Sequence, residues 1–198
     1  MQVLKLIDSH PLKSRLSYEV GFGGADGQVF QHLTDKEKVI KISVVYEHAI
    51  PVEKQISNTF QVLEYLKLYK PDAYAHVYEF DIIKNYYRDT ISGVQKYIVY
   101  YYIMDKCNPL TEDEKKVFHT IVSHEDKLKN KSPVPALHVL DDLSMGLDFD
   151  LSKIIKFCQT INCLPIQHLD IHPRNIMKNK LGDFCLIDFD RCELRKEI

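Results

Sequence analysis

The chain has 198 residues, 45% of them hydrophobic and 27% charged, with a formal net charge of −2. That length buries a core without disulfide or metal staples, and the near-neutral charge excludes a general nucleic-acid or membrane-surface binder. Five cysteines, an odd count with no Cys-x-x-Cys pair, argue against a zinc site and a disulfide framework and point to reduced thiols in a cytoplasmic protein.

The first residues, MQVLKLIDSHPLKSRL, hold no apolar run of secretory-signal length. No segment approaches the roughly 20 apolar residues of a membrane span, so no membrane insertion is expected. Residues 17–46 alternate in polarity around glycines, which predicts paired strands near 28–33 and 38–45 about a polar turn at 34–37. Pro51 suits the first turn of a helix over 51–69, where Ile56, Phe60, Leu63 and Leu66 recur with helical period. Two further strands follow, within 75–84 and 95–105, about a polar turn containing Gly93; the run YIVYYYIM at 97–104 reads as a buried strand. The first half is thus β-β-β-α-β-β, or nearly so.

Thr111 and Glu114 have the spacing of a capping box and open a helix over 111–129. Residues 130–146 contain two prolines and read as irregular structure, and an apolar helix capped by Asp150 spans 150–163. The stretch HLDIHPRN follows at 168–175, then a hairpin turning at Lys180-Leu181-Gly182, then a short charged tail. No internal repeat or low-complexity tract is present.

Four features stand in a meaningful order. Gly21, Gly23, Gly24 and Gly27 cluster before a strand, and Lys41 lies on the next strand. Asp170 precedes Asn175 by five residues, and Asp188 follows Asn175 by 13 at the end of the apolar run FCLI. Phosphoryl transfer needs such a set. Glycines let backbone N–H groups approach phosphates, a strand lysine pairs with phosphate oxygens, and side-chain oxygens hold Mg²⁺. A carboxylate orients the acceptor hydroxyl, so positioning is most of the chemistry. Taken singly, each feature has a bland explanation: glycines make turns, a strand lysine is usually solvated, and His168 reads as a structural histidine. Their joint order and spacing carry the argument.

Over nearly its whole length the sequence resembles the protein-kinase-like superfamily. GADGQV is similar to the second half of the kinase glycine loop, with Gly24, Gly27 and Val29 in register and Gly21 one step early of the first glycine. KVIKIS is similar to the strand that carries the phosphate-binding lysine, here Lys41. YYYIMDK resembles the strand running into the hinge, which places Met104, Asp105 and Lys106 beside the adenine of ATP and Ile103 near the gatekeeper position. HLDIHPRN resembles the catalytic loop, with Asp170 as base and Asn175 as a metal ligand, and IDFD resembles D-F-G, with Asp188 as the main Mg²⁺ ligand. The lysine's partner would be Glu64, 13 residues before Val77, with Glu53 and Gln61 as alternatives.

The resemblance implies an α+β, protein-kinase-like bilobal fold in a single domain over 1–198. A five-stranded antiparallel small lobe with a helix C would cover about 1–105, and a reduced, mainly helical large lobe about 106–198. Three departures matter. His172 stands where most protein kinases have lysine, as in aminoglycoside- and choline-type kinases. Asp190 replaces the glycine of D-F-G and is read as a cap for the tail or a second metal contact; LIDFDRCELR is also similar to lipopolysaccharide-core kinases. The chain has no room for an activation segment after Asp190, which implies a minimal kinase of bacterial-effector or phage type, acting in the cytoplasm or host cytoplasm. The expected activity is ATP- and Mg²⁺-dependent transfer to a Ser, Thr or Tyr of a protein partner. A small-molecule kinase or a nucleotide-binding module are the alternatives. Lys41, as a strand-surface lysine, is expected to matter for turnover more than for packing. Oligomeric state is not legible.

Overall fold

The computed structural model describes residues 3–20, 27–47, 50–90, 93–128 and 151–195. Two compact units emerge: one from residues 1–70 and 76–106, the other from 71–75 and 107–198.

The first unit is an antiparallel sheet of five strands with a long helix. The strands are β1 (Leu16–Glu19), β2 (Gly27–His32), β3 (Lys38–Tyr46), β4 (Val77–Thr90) and β5 (Gly93–Asp105), in spatial order β1-β2-β3-β5-β4. A short helix α1 (Val3–Leu6) and a 3-10 turn at Pro11–Arg15 precede them, and α2 (Val52–Tyr69) connects β3 to β4. Strand alternation divides the apolar residues between two faces. One face is a cluster of Phe30, Ile40, Ile42, Val44, Val99, Tyr101 and Ile103, closed over by Ile7 and Leu12 from the N-terminal segment. The other receives α2, whose Phe60 meets Phe80 and Tyr100 edge-on at 4.9 and 6.0 Å between ring centroids. Ile56, Val62, Leu63 and Leu66 form the buried stripe of α2. β5 is buried from Tyr97 to Met104 because it has a neighbour on each side and cover on both faces. The expected buried strand is there.

The N-terminal segment had no structural assignment from sequence. It is held by a two-pronged ion pair from Arg15 to Glu79 on β4, at 2.7 and 3.0 Å, with the Tyr101 hydroxyl donating to the same carboxylate at 2.6 Å. The Arg15 guanidinium, with help from Tyr101, holds the Glu79 carboxyl below its usual range despite partial burial. α2 starts one residue after Pro51, which occupies the N-cap, and ends at Lys70 in the left-handed conformation, φ 47°.

The second unit contains α3 (Glu112–Leu128), α4 (Leu151–Cys163) and two small antiparallel ladders. One ladder pairs β6 (Ile166–His168) with β9 (Cys192–Leu194), the other β7 (Ile176–Lys178) with β8 (Phe184–Leu186). The capping box forms as expected: Thr111 N–H donates to Glu114 at 2.7 Å and Glu114 N–H to the Thr111 hydroxyl at 3.3 Å. Phe118, Phe157 and Phe184 meet edge-on, which joins α3, α4 and β8 in one aromatic core. The β7–β8 turn rests on Asn179, whose side-chain oxygen accepts from Leu181 and Asp183 N–H groups, and on Gly182 at φ 79°. Asp150 and residues 130–146 lie outside the described residues. The charged tail is a correction: Cys192–Leu194 is a strand, paired with β6. No helix among the described residues is long and apolar enough to cross a membrane.

The α2 stripe gives a direct test. Leu63 is fully buried and Leu68 is 63% exposed. Leu63→Ala is expected to cost about 2–5 kcal/mol in urea denaturation and Leu68→Ala less than about 0.5 kcal/mol. Equal losses would mean that α2 does not use this face.

Candidate active site

The candidate residues fall in both units. In the first, Lys41 sits mid-way along β3, opposite Val29 of β2 and Tyr102 of β5. Its neighbours Ile40 and Ile42 point into the cluster under the sheet, so alternation turns Lys41 to the α2 side. It is 6% exposed, with Nζ 5.8 Å from the centroid of the Tyr102 ring. This corrects the expectation of a surface lysine: its stem is part of the packing, and the ring face offers the ammonium a favourable electrostatic contact. Val29 is half-buried in β2. Gly27 begins β2 for a steric reason. A Cβ there would meet the Ile42 carbonyl oxygen at 2.7 Å, so only glycine lets β2 approach β3 this closely. Gly21, Gly23 and Gly24 lie outside the described residues.

The end of β5 is heavily tied. Met104 is buried. Asp105 accepts from the Tyr78 hydroxyl at 2.7 Å and from His76 N–H at 3.3 Å. Lys106 donates from Nζ to the Gln31 amide oxygen at 2.9 Å and from its N–H to the Glu37 carbonyl at 2.8 Å. Gln31 itself is fully buried, and its NH₂ donates to the carbonyls of Asp35, Lys36 and Lys38. One glutamine thus organises the β2–β3 turn and anchors the Asp105–Lys106 segment. Sequence reasoning passed over it, although a lone Gln amid the apolar alternation of VFQHL was a signal.

On α2, Glu64 and Gln61 are both exposed. Glu53 is committed elsewhere, paired with Lys96 on β5, and this pairing holds its carboxyl below the usual range. Glu53 therefore leaves the set of partners for Lys41.

In the second unit the loop between β6 and β7 is built on a histidine. His168 is 6% exposed. Its Nδ1 accepts from the Asp170 N–H at 3.2 Å, and its Nε2 lies 3.0 Å from the Ile187 carbonyl oxygen. A neutral ring with its proton on Nε2 satisfies both contacts, accepting on one side and donating on the other. Burial pushes the His168 value down, which keeps the ring in that neutral form. Asn175, also 6% exposed, donates its side-chain N–H to the Asp170 carbonyl at 2.9 Å, while its own carbonyl accepts from Ile187 N–H at 2.9 Å. Asp170, Asn175 and the residue before Asp188 are joined in one closed network.

Asp188 itself has φ 65° and ψ 77°, the left-handed region, at the N-cap of a 3-10 turn over Phe189–Arg191. A non-glycine residue there is unusual and costs free energy, a pattern that clusters at functional sites. Its side chain does not cap the turn. Asp190 sits inside the turn rather than capping the tail, since the N-cap position is Asp188. His172 accepts at Nδ1 from Arg174 N–H at 3.1 Å, and its Nε2 stands 3.8 Å from an Asp170 carboxylate oxygen. Both side chains are part-exposed.

No family model matches the chain, and no curated protein matches it in sequence. Solved structures do. One is the ROP18 kinase domain in complex with AMP-PNP and sucrose, 16% identical, with a TM-score of 0.50 over 91% of this chain and 52% of that one. The fold is protein-kinase-like. The chain spans about half the length of that kinase domain, and at this identity the likeness is one of fold.

The histidine bridge has a pH signature. Because burial lowers the folded-state value below the unfolded one of about 6.5, the unfolded chain binds more protons between the two values. His168 then stabilises the fold above about pH 6.5, and this contribution is lost as pH falls. An NMR titration should find a ring protonated at Nε2 that stays neutral below about pH 6.5. His32 and His76, also lowered by burial, add a loss of the same sign, so His168→Gln should weaken the fall in stability without abolishing it. A ring that titrates at or above the ordinary value would contradict the bridge.

Proposed function

We propose that the chain is an ATP- and Mg²⁺-dependent kinase that phosphorylates a Ser, Thr or Tyr hydroxyl of a protein. The carrying observation is the network of His168, Asp170, Asn175 and Ile187, which ties the backbone of Asp170 to the Asn175 side-chain amide, next to Asp188 in the left-handed conformation. The protein-kinase-like fold supports this choice, and the neighbour's AMP-PNP supports a nucleotide as the phosphoryl donor.

The donor set fits Mg²⁺. Asn175 spends its NH₂ on the Asp170 carbonyl, which makes its side-chain oxygen the atom that would ligate a cation, and Asp188 would add a carboxylate. Mg²⁺ is commonly held by one or two such oxygens, with phosphate and water completing its shell. When bound, it would neutralise charge on the transferring phosphoryl group. Asp170 would orient the acceptor hydroxyl and take its proton. His172, 3.8 Å from that carboxylate, would donate a hydrogen bond at the same place. Lys41, with Glu64 as proposed partner, and the residues about Gly21, Gly23, Gly24, Gly27 and Val29 would bind phosphates. Met104, Asp105 and Lys106 would border the adenine.

Incubation with γ-labelled ATP, Mg²⁺ and a protein acceptor tests this. Asp170→Ala is expected to lower label transfer by about 10²–10⁴-fold. Asp188→Asn suits a left-handed backbone and should remove the Mg²⁺ dependence of nucleotide binding. Lys41→Met, which keeps the buried stem, should lower turnover and leave the melting temperature near that of the wild type. Transfer unchanged by Asp170→Ala would overturn the role of that residue. Nucleotide binding by wild type with no transfer to any protein would favour a binding module, and transfer only to small alcohols a small-molecule kinase.

A further inference from the structure

A groove of about 700 Å³ runs between the start of α3 and the loop that carries Asp170. Glu112, Lys115, Lys116 and His119 line it from α3, and His172 and Arg174 from the loop. With Asp113, which pairs with Lys116, counted beside Glu112, three cations meet two anions and leave a net +1 at this wall. Lys115 pairs with Glu112 and Lys116 with Asp113, at 2.6 and 2.9 Å. These are exposed i,i+3 pairs, worth a few tenths of a kcal/mol at most and readily exchanged. Among the described residues, Arg174 has no acidic partner. His172 belongs both to the groove wall and to the immediate surroundings of the Asp170 carboxylate. The groove wall therefore includes a side chain that stands 3.8 Å from the proposed catalytic base.

We infer that this groove is an acceptor-docking site for an acidic peptide, so that the preferred substrate carries Asp or Glu beside its phosphorylatable hydroxyl. The inference rests on the kinase reading for its catalytic consequence, though not for the binding itself. Charge fixes the sign of the occupant. Openness fixes its kind: the Lys116 side chain is 76% exposed and the Lys115 side chain 44%. Small-molecule sites bury most of their ligand, about 70–90% of its surface, and such a wall does not enclose one. An extended chain laid along α3 uses it well. From Glu112 to Thr120 the helix rises roughly 12 Å, the span of about three to four extended residues. The acids recognised would lie within about four residues of the hydroxyl. Contacts with exposed cations act through encounter rate and are screened by salt.

Fluorescence anisotropy on the full chain tests this, with a labelled Ser peptide flanked by Glu and the same peptide with Gln or Lys flanks. The Glu peptide is expected to bind at least about tenfold more tightly than the Gln peptide, with an affinity that falls as NaCl rises. The double reversal Lys115→Glu/Lys116→Glu should abolish the preference, and Lys115→Ala/Lys116→Ala, which adds no repulsion with Asp113, should weaken it. Circular dichroism checks that both variants fold. Equal affinity for the Glu and Gln peptides, or a preference that survives reversal in a folded variant, overturns the inference. Label transfer separates the two proposals. Wild type that binds the Glu peptide selectively but phosphorylates nothing retains the groove and loses the kinase. Wild type that binds and phosphorylates the Glu and Gln peptides alike retains the kinase and loses the groove.

Discussion

A single buried imidazole holds the second unit's candidate catalytic loop in register. His168 is the last residue of β6, and its two ring nitrogens face opposite obligations: one accepts from Asp170, the other donates to Ile187. Each backbone group is part of a different element, and neither has a strand partner at that point. A buried polar group without a partner costs about 1–3 kcal/mol, so the ring satisfies two such groups and links the loop to the strand that delivers Asp188. β9 contributes from the other side, because His168 pairs with Cys192 in the β6–β9 ladder. The tail beyond Asp188 thus holds the histidine that holds the loop.

The same logic of a polar side chain at a junction recurs in the first unit. Gln31 does for the β2–β3 turn and Lys106 what His168 does for the loop, with its amide used at both ends. In each unit the sheet or ladder supplies the frame, and one buried polar residue converts that frame into a fixed loop. Neither residue has to meet a substrate for its loss to displace the groups that would.

Much of this was legible in the sequence because it rests on local rules. The alternation of Phe30, Ile40, Ile42 and Val44, the helical stripe through Leu63 and the reciprocal Thr111–Glu114 cap are short-range patterns, and the fold honours them. The order of Lys41, Asp170, Asn175 and Asp188 was readable as spacing. What was hidden depends on contacts distant in sequence. The N-terminal segment lies over the sheet through Arg15 and Glu79, 64 residues apart, and its short helix and 3-10 turn have no period to detect. β9 spans three residues of a charged tail, too short for alternation. The burial of Lys41 was missed because lysine composition predicts exposure and only register reveals the flanking Tyr102. Glu53 was separated from Lys41 by a cross-strand partner, Lys96, that no helical spacing discloses.

The alternation around Lys41 also limits how this gene can change length. Ile40 and Ile42 face one side of the sheet and Lys41 the other, a matter of odd and even positions along β3. Losing or gaining one codon within Lys38–Tyr46 would reverse that parity from the break onward, sending the cation into the apolar cluster and two isoleucines to the helix side. The core and the candidate phosphate-binding group would then fail together. The turn between β2 and β3 offers no easy escape, since Gln31 measures its length through three carbonyls. Substitution is the open route for divergence here, and insertion or deletion in this hairpin should be strongly selected against.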